Sequence, residues 1–163
     1  MIETGAKLPE GTLFEMTADG PAQVPTADVF AGKKVAMFGV PGAFTPTCNN
    51  THVPSFIEAM GALKEKGVDS VVCLSVNDPF VMGKWGEATG ASEAGIRMLG
   101  DASGAFVQAM GLDFSADVVG LLGRAKRFAA VVDDGTVSAL VVEDNPGEAE
   151  ATSAPALMAA AGL

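Results

Sequence analysis

Apolar residues recur along the chain in two patterns, short uninterrupted runs and runs with helical spacing. Uninterrupted runs are typical of strands buried on both faces of a sheet, and weak alternation is typical of an edge strand. The strands predicted in this way are Thr12–Thr17 (as an edge strand), Lys34–Gly39, Ser70–Val76, Gly95–Gly100, Phe128–Val132 and Thr136–Val142. The last two flank Asp133-Asp134-Gly135, whose Asp-Gly pair predicts a hairpin turn.

Apolar residues at helical spacing predict the helices, and proline and glycine mark their ends. The longest helix is predicted from Cys48 to about Lys66, with Gly67 ending it, and Pro54 in its interior predicts a kink or a late start. The other predicted helical segments are a turn at Asp28–Gly32 and helices at Pro79–Thr89, Ala102–Met110 and Ser153–Ala161.

The order of these elements predicts the fold class. Strands and helices alternate and are followed by a hairpin and a closing helix, which indicates an α/β domain with a mixed sheet. We expect parallel strands in the middle and an antiparallel pair at one side. No repeat, linker or low-complexity segment divides the 163 residues, so one domain is expected over residues 1–163.

Composition and charge narrow the function classes. Hydrophobic residues make up 48% of the chain and charged residues 18%, as in folded domains. The net charge of −10 leaves no cationic surplus for nucleic acid. The longest uncharged stretches are broken by glycine and proline, so we expect no membrane span. Met1–Gly5 resembles neither a signal peptide nor the start of a transit peptide, and a cytoplasmic location is therefore expected.

The cysteine and histidine inventory bounds the metal and disulfide chemistry. Cys48 and Cys73 do not form a Cys-x-x-Cys motif, so a disulfide framework is not expected. With His52 as the single histidine, a zinc site of cysteine and histidine would have at most three ligands. We therefore do not expect a structural metal site.

Cys48 is the strongest candidate for chemistry. The apolar run before it ends at Pro41-Gly42 and a helix is predicted to begin near it, where free backbone N–H groups and the helix dipole favour a thiolate. The alternative is that Cys48 is a small buried apolar residue. Dithiol oxidoreductases carry a cysteine where this chain has Thr45, so a single thiolate attacking a small electrophile is favoured, although Thr45 also suits a helix cap.

The stretch Pro41-Gly42-Ala43-Phe44-Thr45-Pro46-Thr47-Cys48, with His52 four residues on, resembles the active-site motif of the type II or peroxiredoxin-5 subgroup of peroxiredoxins. Three further segments agree with this subgroup, namely Cys73–Asp78, Gly83–Trp85 and Lys126–Phe128 leading to Val131–Gly135, so the likeness covers roughly residues 30–142. The resemblance implies an α/β, thioredoxin-like fold with a central mixed β-sheet flanked by helices. It also implies reduction of hydrogen peroxide or alkyl hydroperoxides without a cofactor.

The resemblance assigns roles to particular residues. Cys48 would be the peroxidatic cysteine, Thr45 would bind the peroxide, and Arg127 would complete the site by steadying the developing charge. The positions that would shape the site are Pro41, which shields the thiolate from water, Gly42 and Phe44.

The roles of four other residues near these segments are interpreted from their positions in the sequence. By spacing alone Arg124 is a surface charge, and it either supports the site or pairs with an acidic neighbour. His52 either faces the same side as Cys48 or is a packed histidine with satisfied hydrogen bonds. Trp85 is expected in the core or an interface, and Cys73, in the middle of an apolar run, is expected to be inert.

The cycle is expected to use one cysteine of this chain. Some members of the subgroup carry a resolving cysteine near the C-terminal loop, but the acidic loop at residues 143–152 contains none. An external thiol (glutathione, glutaredoxin or thioredoxin) would then reduce Cys48, and the resemblance also implies a homodimer. The competing hypotheses are a thiol transferase or disulfide reductase, and a non-catalytic binding or chaperone module.

Overall fold

A computed structural model describes residues 1–163, and it contains nine strands and five α-helices. The strands are β1 (Thr12–Thr17), β2 (Gly20–Pro25), β3 (Lys34–Val40), β4 (Ser70–Ser75), β5 (Arg97–Gly100), β6 (Asp113–Ala116), β7 (Leu121–Ala125), β8 (Phe128–Asp133) and β9 (Thr136–Val142). The α-helices are α1 (Thr26–Phe30), α2 (Val53–Glu65), α3 (Pro79–Thr89), α4 (Ala105–Ala109) and α5 (Ala154–Ala161). None of these helices combines the length and the apolar composition needed to cross a bilayer.

Seven strands form the central sheet in the order β2-β1-β5-β4-β3-β8-β9. Strand β4 pairs in parallel with β3 and β5, whereas β1, β2, β8 and β9 join by antiparallel pairing. The predicted α/β class and mixed central sheet are therefore confirmed. Antiparallel strands lie at both sides of the parallel centre rather than at one, because β1 and β2 extend the sheet beyond β5.

The sequence pattern does not predict three of the strands, β2, β6 and β7. Strand β2 contains Pro21 and Pro25, and β1 is consequently an inner neighbour of β2 instead of the edge strand expected. Proline is tolerated in β2 because an edge strand need not donate every backbone N–H group. The hairpin of β6 and β7, a separate two-stranded sheet, was missed because its residues carry charges and Gly123 and lack a continuous apolar run.

The long helix has an irregular turn before Pro54 rather than a late start, because residues 46 and 47 are already helical. Residues Cys48–His52 form one π-helical turn, closed by the Val53 N–H group donating to the Cys48 carbonyl, and α2 continues from Val53. Pro54 is the second residue of α2 and directly follows this wider turn. Both Cys48 and His52 are buried by this wide turn.

The sheet is covered by helices on both faces. Helices α2, α3 and α5 pack on one face around Phe38, Phe56 and Trp85, and α1 and α4 pack on the other around Phe30 and Phe106. The β8–β9 hairpin turn uses Asp134 and Gly135 at positive φ of 47° and 76°, as the Asp-Gly pair predicted. The carboxyl end of β3 leads directly into the candidate site.

Candidate active site

Two donors converge on the sulfur of Cys48, which is fully buried. The Thr45 Oγ1 atom lies 2.8 Å and the Arg127 Nη2 atom 3.1 Å from Cys48 Sγ. The same hydroxyl also lies 2.7 Å from the Gly42 carbonyl oxygen, and its single hydrogen can serve only one of these acceptors at a time. A hydroxyl and a guanidinium on one sulfur form an environment that stabilises negative charge on that atom.

Sheet pairing brings Arg127 to Cys48, although the two residues are 79 positions apart. Strand β8 runs antiparallel to β3, with Phe128 opposite Gly39. The residue before β8 therefore lies next to Val40, at the end of β3 where the cysteine loop begins. This register delivers the guanidinium to the start of the helical turn.

The guanidinium of Arg127 is held by three separate acceptors in a buried position, where the residue is 2% exposed. Its Nε donates to the Pro146 carbonyl at 3.1 Å, its Nη1 lies 3.1 Å from His52 Nδ1, and its Nη2 donates to Cys48 Sγ at 3.1 Å. The planar fork of arginine matches three acceptors in different directions, which a lysine cannot do. The contacts with the Pro146 carbonyl and with His52 therefore fix the orientation of the Arg127 guanidinium toward the sulfur.

His52 is part of this support. Its Nε2 lies 2.9 Å from the Thr152 carbonyl oxygen, which accepts only from an N–H group, so Nε2 carries the proton and Nδ1 accepts from Arg127. Burial and, to a smaller extent, the charge of Arg127 together lower the pKa of His52 from 6.5 to about 3, although the hydrogen bond to the Thr152 carbonyl opposes the shift. His52 is a packed histidine with satisfied hydrogen bonds, and it reaches Cys48 only through Arg127.

The neutral state of His52 predicts how stability depends on pH. Because the folded pKa of about 3 lies below the unfolded value near 6.5, the unfolded chain binds an extra proton between these values, and stability falls as the pH falls. We expect the free energy of unfolding to drop by about 1–2 kcal/mol from pH 6.5 to pH 5 through this group. Urea unfolding at a series of pH values measures the drop.

The matched control for this experiment is His52→Gln, because His52 is the single histidine of the chain. Its profile should be flatter than that of the wild type over the same interval. Burial raises the pKa of Asp101, which acts in the opposite direction, but Asp101 is present in both proteins and cancels from the difference. Parallel profiles for the two proteins would contradict the assignment.

A pocket of about 210 Å³ opens over the two groups that contact the sulfur. One wall belongs to the cysteine loop and the opposite wall to the β6–β7 hairpin and the loop after β9. Its lining residues are Pro41, Thr45, Pro46, Thr47, Phe114, Ala116, Val119, Leu121, Arg127, Pro146 and Gly147. Most of this lining is apolar, so the donors of Thr45 and Arg127 are the main polar groups that a small ligand meets.

The acidic loop at residues 143–152 closes over this site through its backbone. Carbonyl oxygens of Pro146 and Thr152 accept from Arg127 and from His52, and the Gly147 carbonyl accepts from Thr47 Oγ1 at 2.8 Å. The sequence pattern predicts only an acidic loop without a cysteine for this segment. Every residue type has a backbone carbonyl, so no pattern in the sequence predicts this role.

The three residues predicted to shape the site occupy different positions relative to the pocket. Pro41 is buried and lines the pocket, whereas Gly42 leaves room for Arg124, whose Nη1 would lie 2.9 Å from a Cβ atom at position 42. Arg124 Nη1 donates to the Pro41 carbonyl at 3.4 Å, so it supports the loop rather than the sulfur. Phe44 lies outside the pocket lining, is 56% exposed and adopts a φ of 64°.

Trp85 and Cys73 contribute to packing and not to the pocket. The Trp85 indole packs 6.4 Å from the Phe44 ring and donates to Asn49 Oδ1 at 2.9 Å, which ties α3 to the turn that carries Cys48. Cys73 is fully buried in β4, and burial raises its pKa well above the ordinary value, as does the neighbouring Cys48. Cys73 is therefore a neutral thiol in the core.

Comparisons with known proteins agree on one family. A family model described as Redoxin matches residues 3–157. The protein named Peroxiredoxin-2E-2, chloroplastic, from Oryza sativa subsp. japonica is 44% identical over 147 residues, which are 88% of this chain and 65% of the rice protein. Peroxiredoxin-2F, mitochondrial, from Arabidopsis thaliana is 43% identical over 134 residues, 82% of this chain and 66% of that protein. The chain thus spans just under two thirds of the length of these relatives.

A solved structure extends the similarity to the whole fold. The crystal structure of reduced Prx3 from Vibrio vulnificus in complex with hydrogen peroxide superposes with a TM-score of 0.90 at 44% identity, covering 99% of each chain.

The expected cytoplasmic location is contradicted by the first two relatives, which are chloroplastic and mitochondrial. The same folded domain serves in different compartments, so its composition does not define one.

Proposed function

The chain belongs to the Redoxin family and, within it, to the peroxiredoxins of thioredoxin-like fold, and from this premise we propose that it is a thiol peroxidase for hydrogen peroxide and alkyl hydroperoxides. The observation that carries the proposal is the pair of donors, Thr45 Oγ1 and Arg127 Nη2, at 2.8 and 3.1 Å from the Cys48 sulfur. We likewise infer that residues 1–163 act as one domain, since helices cover both faces of a single central sheet.

The reaction is an attack by the Cys48 thiolate on the distal oxygen of the peroxide. The sulfur–oxygen bond forms while the oxygen–oxygen bond breaks, giving a cysteine sulfenic acid and an alkoxide or hydroxide that takes a proton from water. Negative charge leaves the sulfur and builds on the departing oxygen. Arg127 faces the sulfur from the pocket lining and steadies that charge with fixed N–H donors, and Pro41 keeps water from the thiolate.

Thr45 orients the peroxide through its hydroxyl group. The Thr45→Val variant keeps the shape of the side chain but loses the hydroxyl, and we expect kcat/KM for hydrogen peroxide to fall by about 10- to 100-fold, which corresponds to one hydrogen bond to a charged group. Stopped-flow oxidation of the reduced protein measures this constant. The Thr45→Ser variant retains the hydroxyl and should stay close to wild type, so equal losses in both variants would argue against the role.

The sulfenic acid is reduced by a thiol from outside the chain. Cys73 is fully buried in the central sheet, and the loop over the site contains no cysteine. Intact-mass measurement after one equivalent of peroxide should give a gain of one oxygen on Cys48, followed by a mixed disulfide when a thiol is added. A Cys48–Cys73 disulfide as the main product would overturn the one-cysteine cycle.

The reductant belongs to the class of glutathione, glutaredoxin or thioredoxin, and the protein acts as a homodimer. Five large apolar side chains are exposed and support an interface, and Val119 among them lines the pocket: Phe44, Phe80, Val118, Val119 and Leu122. Exposed apolar patches mark protein contact surfaces. Sedimentation of the reduced protein as a 16.5 kDa species would contradict the dimer.

A further inference from the structure

The acidic loop after β9 supplies two of the carbonyls that hold the Arg127 side chain. The Pro146 carbonyl accepts directly from Arg127 Nε at 3.1 Å. The Thr152 carbonyl acts through a histidine, because it accepts from His52 Nε2 at 2.9 Å and His52 Nδ1 lies 3.1 Å from Arg127 Nη1. The direction of the Arg127 donor at Cys48 Sγ therefore depends on where this loop lies.

Most of this loop is exposed and carries negative charge. Residues 144–148 are all exposed, and four carboxylates occur within eight residues, namely Glu143, Asp144, Glu148 and Glu150. Like charges so close in the sequence repel one another. A turn in which the Asn145 side chain accepts from the Gly147 N–H group shapes the tip of the loop but does not fix its two ends. The position of its carbonyls thus requires a specific contact at the base.

Glu143 makes that contact and holds both ends of the loop. It lies opposite Arg127, one step beyond the Phe128–Val142 pair of the β8–β9 ladder, and its backbone N–H group donates to the Arg127 carbonyl at 3.0 Å. Its Oε1 atom accepts from the Thr152 N–H group at 2.9 Å and from the Thr152 hydroxyl at 3.0 Å. One residue thus joins the backbone of Arg127 to the far end of the loop.

Thr152 links Glu143 to His52. It is fully buried, and its N–H group, hydroxyl and carbonyl are all hydrogen-bonded. Both donors end on one carboxylate oxygen, and hydrogen bonds to a charged acceptor are stronger than those between neutral groups. Because its amide and its side chain are held, the residue has little freedom to turn its carbonyl away from His52. Neither of the two ion pairs of the structure includes Glu143, so its carboxylate serves Thr152 and no cation.

We propose that Glu143 is a positioning residue for Arg127 and, through Arg127, for the reacting sulfur of Cys48. It lies outside the lining of the peroxide pocket and does not touch the sulfur. Without its acceptor, the buried donors of Thr152 lose their partner and the base of the loop rearranges. The carbonyls that aim the guanidinium then move, and a small displacement of a donor to developing charge slows the reaction. This inference rests on the proposed peroxidase function.

The test compares Glu143→Leu, which has no acceptor atom, with Glu143→Gln, whose amide oxygen can still accept both hydrogen bonds. The measurement is the stopped-flow rate constant for oxidation of the reduced, full-length protein by hydrogen peroxide. We expect a fall of about tenfold for Glu143→Leu and a value within about threefold of the wild type for Glu143→Gln. The matched control is Glu150→Leu, which removes the same charge from the same loop. Glu150 is exposed and contacts Ser153 only through its backbone carbonyl, so this variant should equal the wild type.

A double-mutant cycle with Arg127→Lys separates positioning from a general loss of stability. If Glu143 acts through the guanidinium, Glu143→Leu should lower the rate constant by less than about twofold once lysine has replaced Arg127. A spectroscopic readout is also available, because His52 is the single histidine and its imidazole 15N signals need no assignment. These signals should shift in Glu143→Leu and match the wild type in Glu143→Gln.

A loss in Glu143→Leu that is absent in Glu143→Gln and in the Arg127→Lys background supports the positioning role. Equal losses in the leucine and glutamine variants, an unchanged rate in Glu143→Leu, or an undiminished loss in the Arg127→Lys background overturn it. If Glu143→Leu does not fold, Thr152→Val removes one of the two donors, and a rate equal to that of Thr152→Ser contradicts the role. A wild type whose Cys48 is not oxidised by peroxide would instead overturn the peroxidase function itself.

Discussion

Replacing Cys48 with serine is expected to reduce peroxide consumption by at least about 1,000-fold, to the background of the uncatalysed reaction. A serine hydroxyl is not ionised near neutral pH, and its oxygen cannot take up a second oxygen as sulfur does in forming a sulfenic acid. The donors Thr45 and Arg127 would remain in place but would have no nucleophile between them. Peroxide loss followed with dithiothreitol as reductant measures the effect.

The control for this prediction is Cys73→Ala. Cys73 is fully buried on β4, opposite Phe38 of β3 and Met98 of β5, and alanine removes only its sulfur from the core. This variant should retain turnover with an external thiol. Activity in Cys48→Ser, or its loss in Cys73→Ala despite a folded protein, would contradict the assignment, and the first result would favour a non-catalytic role for the Cys48 motif.

Replacing Arg127 with lysine is expected to lower kcat/KM for peroxide by about 100- to 1,000-fold, the usual loss on removing a fixed donor to a developing charge. The positive charge is kept, yet one ammonium cannot reach the Pro146 carbonyl, His52 Nδ1 and Cys48 Sγ in their present directions. The loss therefore reports on donor geometry rather than on charge alone. Single-turnover oxidation of the reduced protein is the measurement.

Arg124→Lys is the matched control for Arg127→Lys. Its side chain donates only to the Pro41 carbonyl at 3.4 Å and does not touch the sulfur. We expect its rate constant to lie within about threefold of the wild type, since lysine keeps the charge at position 124 and the single hydrogen bond of Arg124 is long. Because Arg127 is buried, urea unfolding of both variants is needed to show that the assayed protein is folded. Similar rates for the two variants would contradict the role of Arg127.

Much of the fold is local in origin, and the sequence pattern therefore predicts it. The runs that became β3, β4 and β8 are apolar because both faces of these strands are covered, and the Asp-Gly pair alone identifies the β8–β9 turn. The errors lie where tertiary context overrides composition. Strand β2 is stabilised by pairing with β1 despite its prolines, and the β6–β7 hairpin is stabilised by its own ladder despite its charges.

By itself the sequence indicated the cysteine loop as the candidate site, because Pro41 to Cys48 are contiguous and their turn, their glycine and their helix start are local properties. It also predicted that Pro54 disturbs the long helix, and the structure has a π-helical turn directly before that residue. Only the tertiary structure decided what surrounds the sulfur. Arg127 arrives through the register of β8 on β3, 79 residues away, and its guanidinium is aimed by His52, which a carbonyl 100 residues further on holds in place. Contacts between residues so far apart in the sequence depend on strand pairing and on the direction of backbone carbonyls. Neither can be predicted from the periodicity of apolar residues in a single segment.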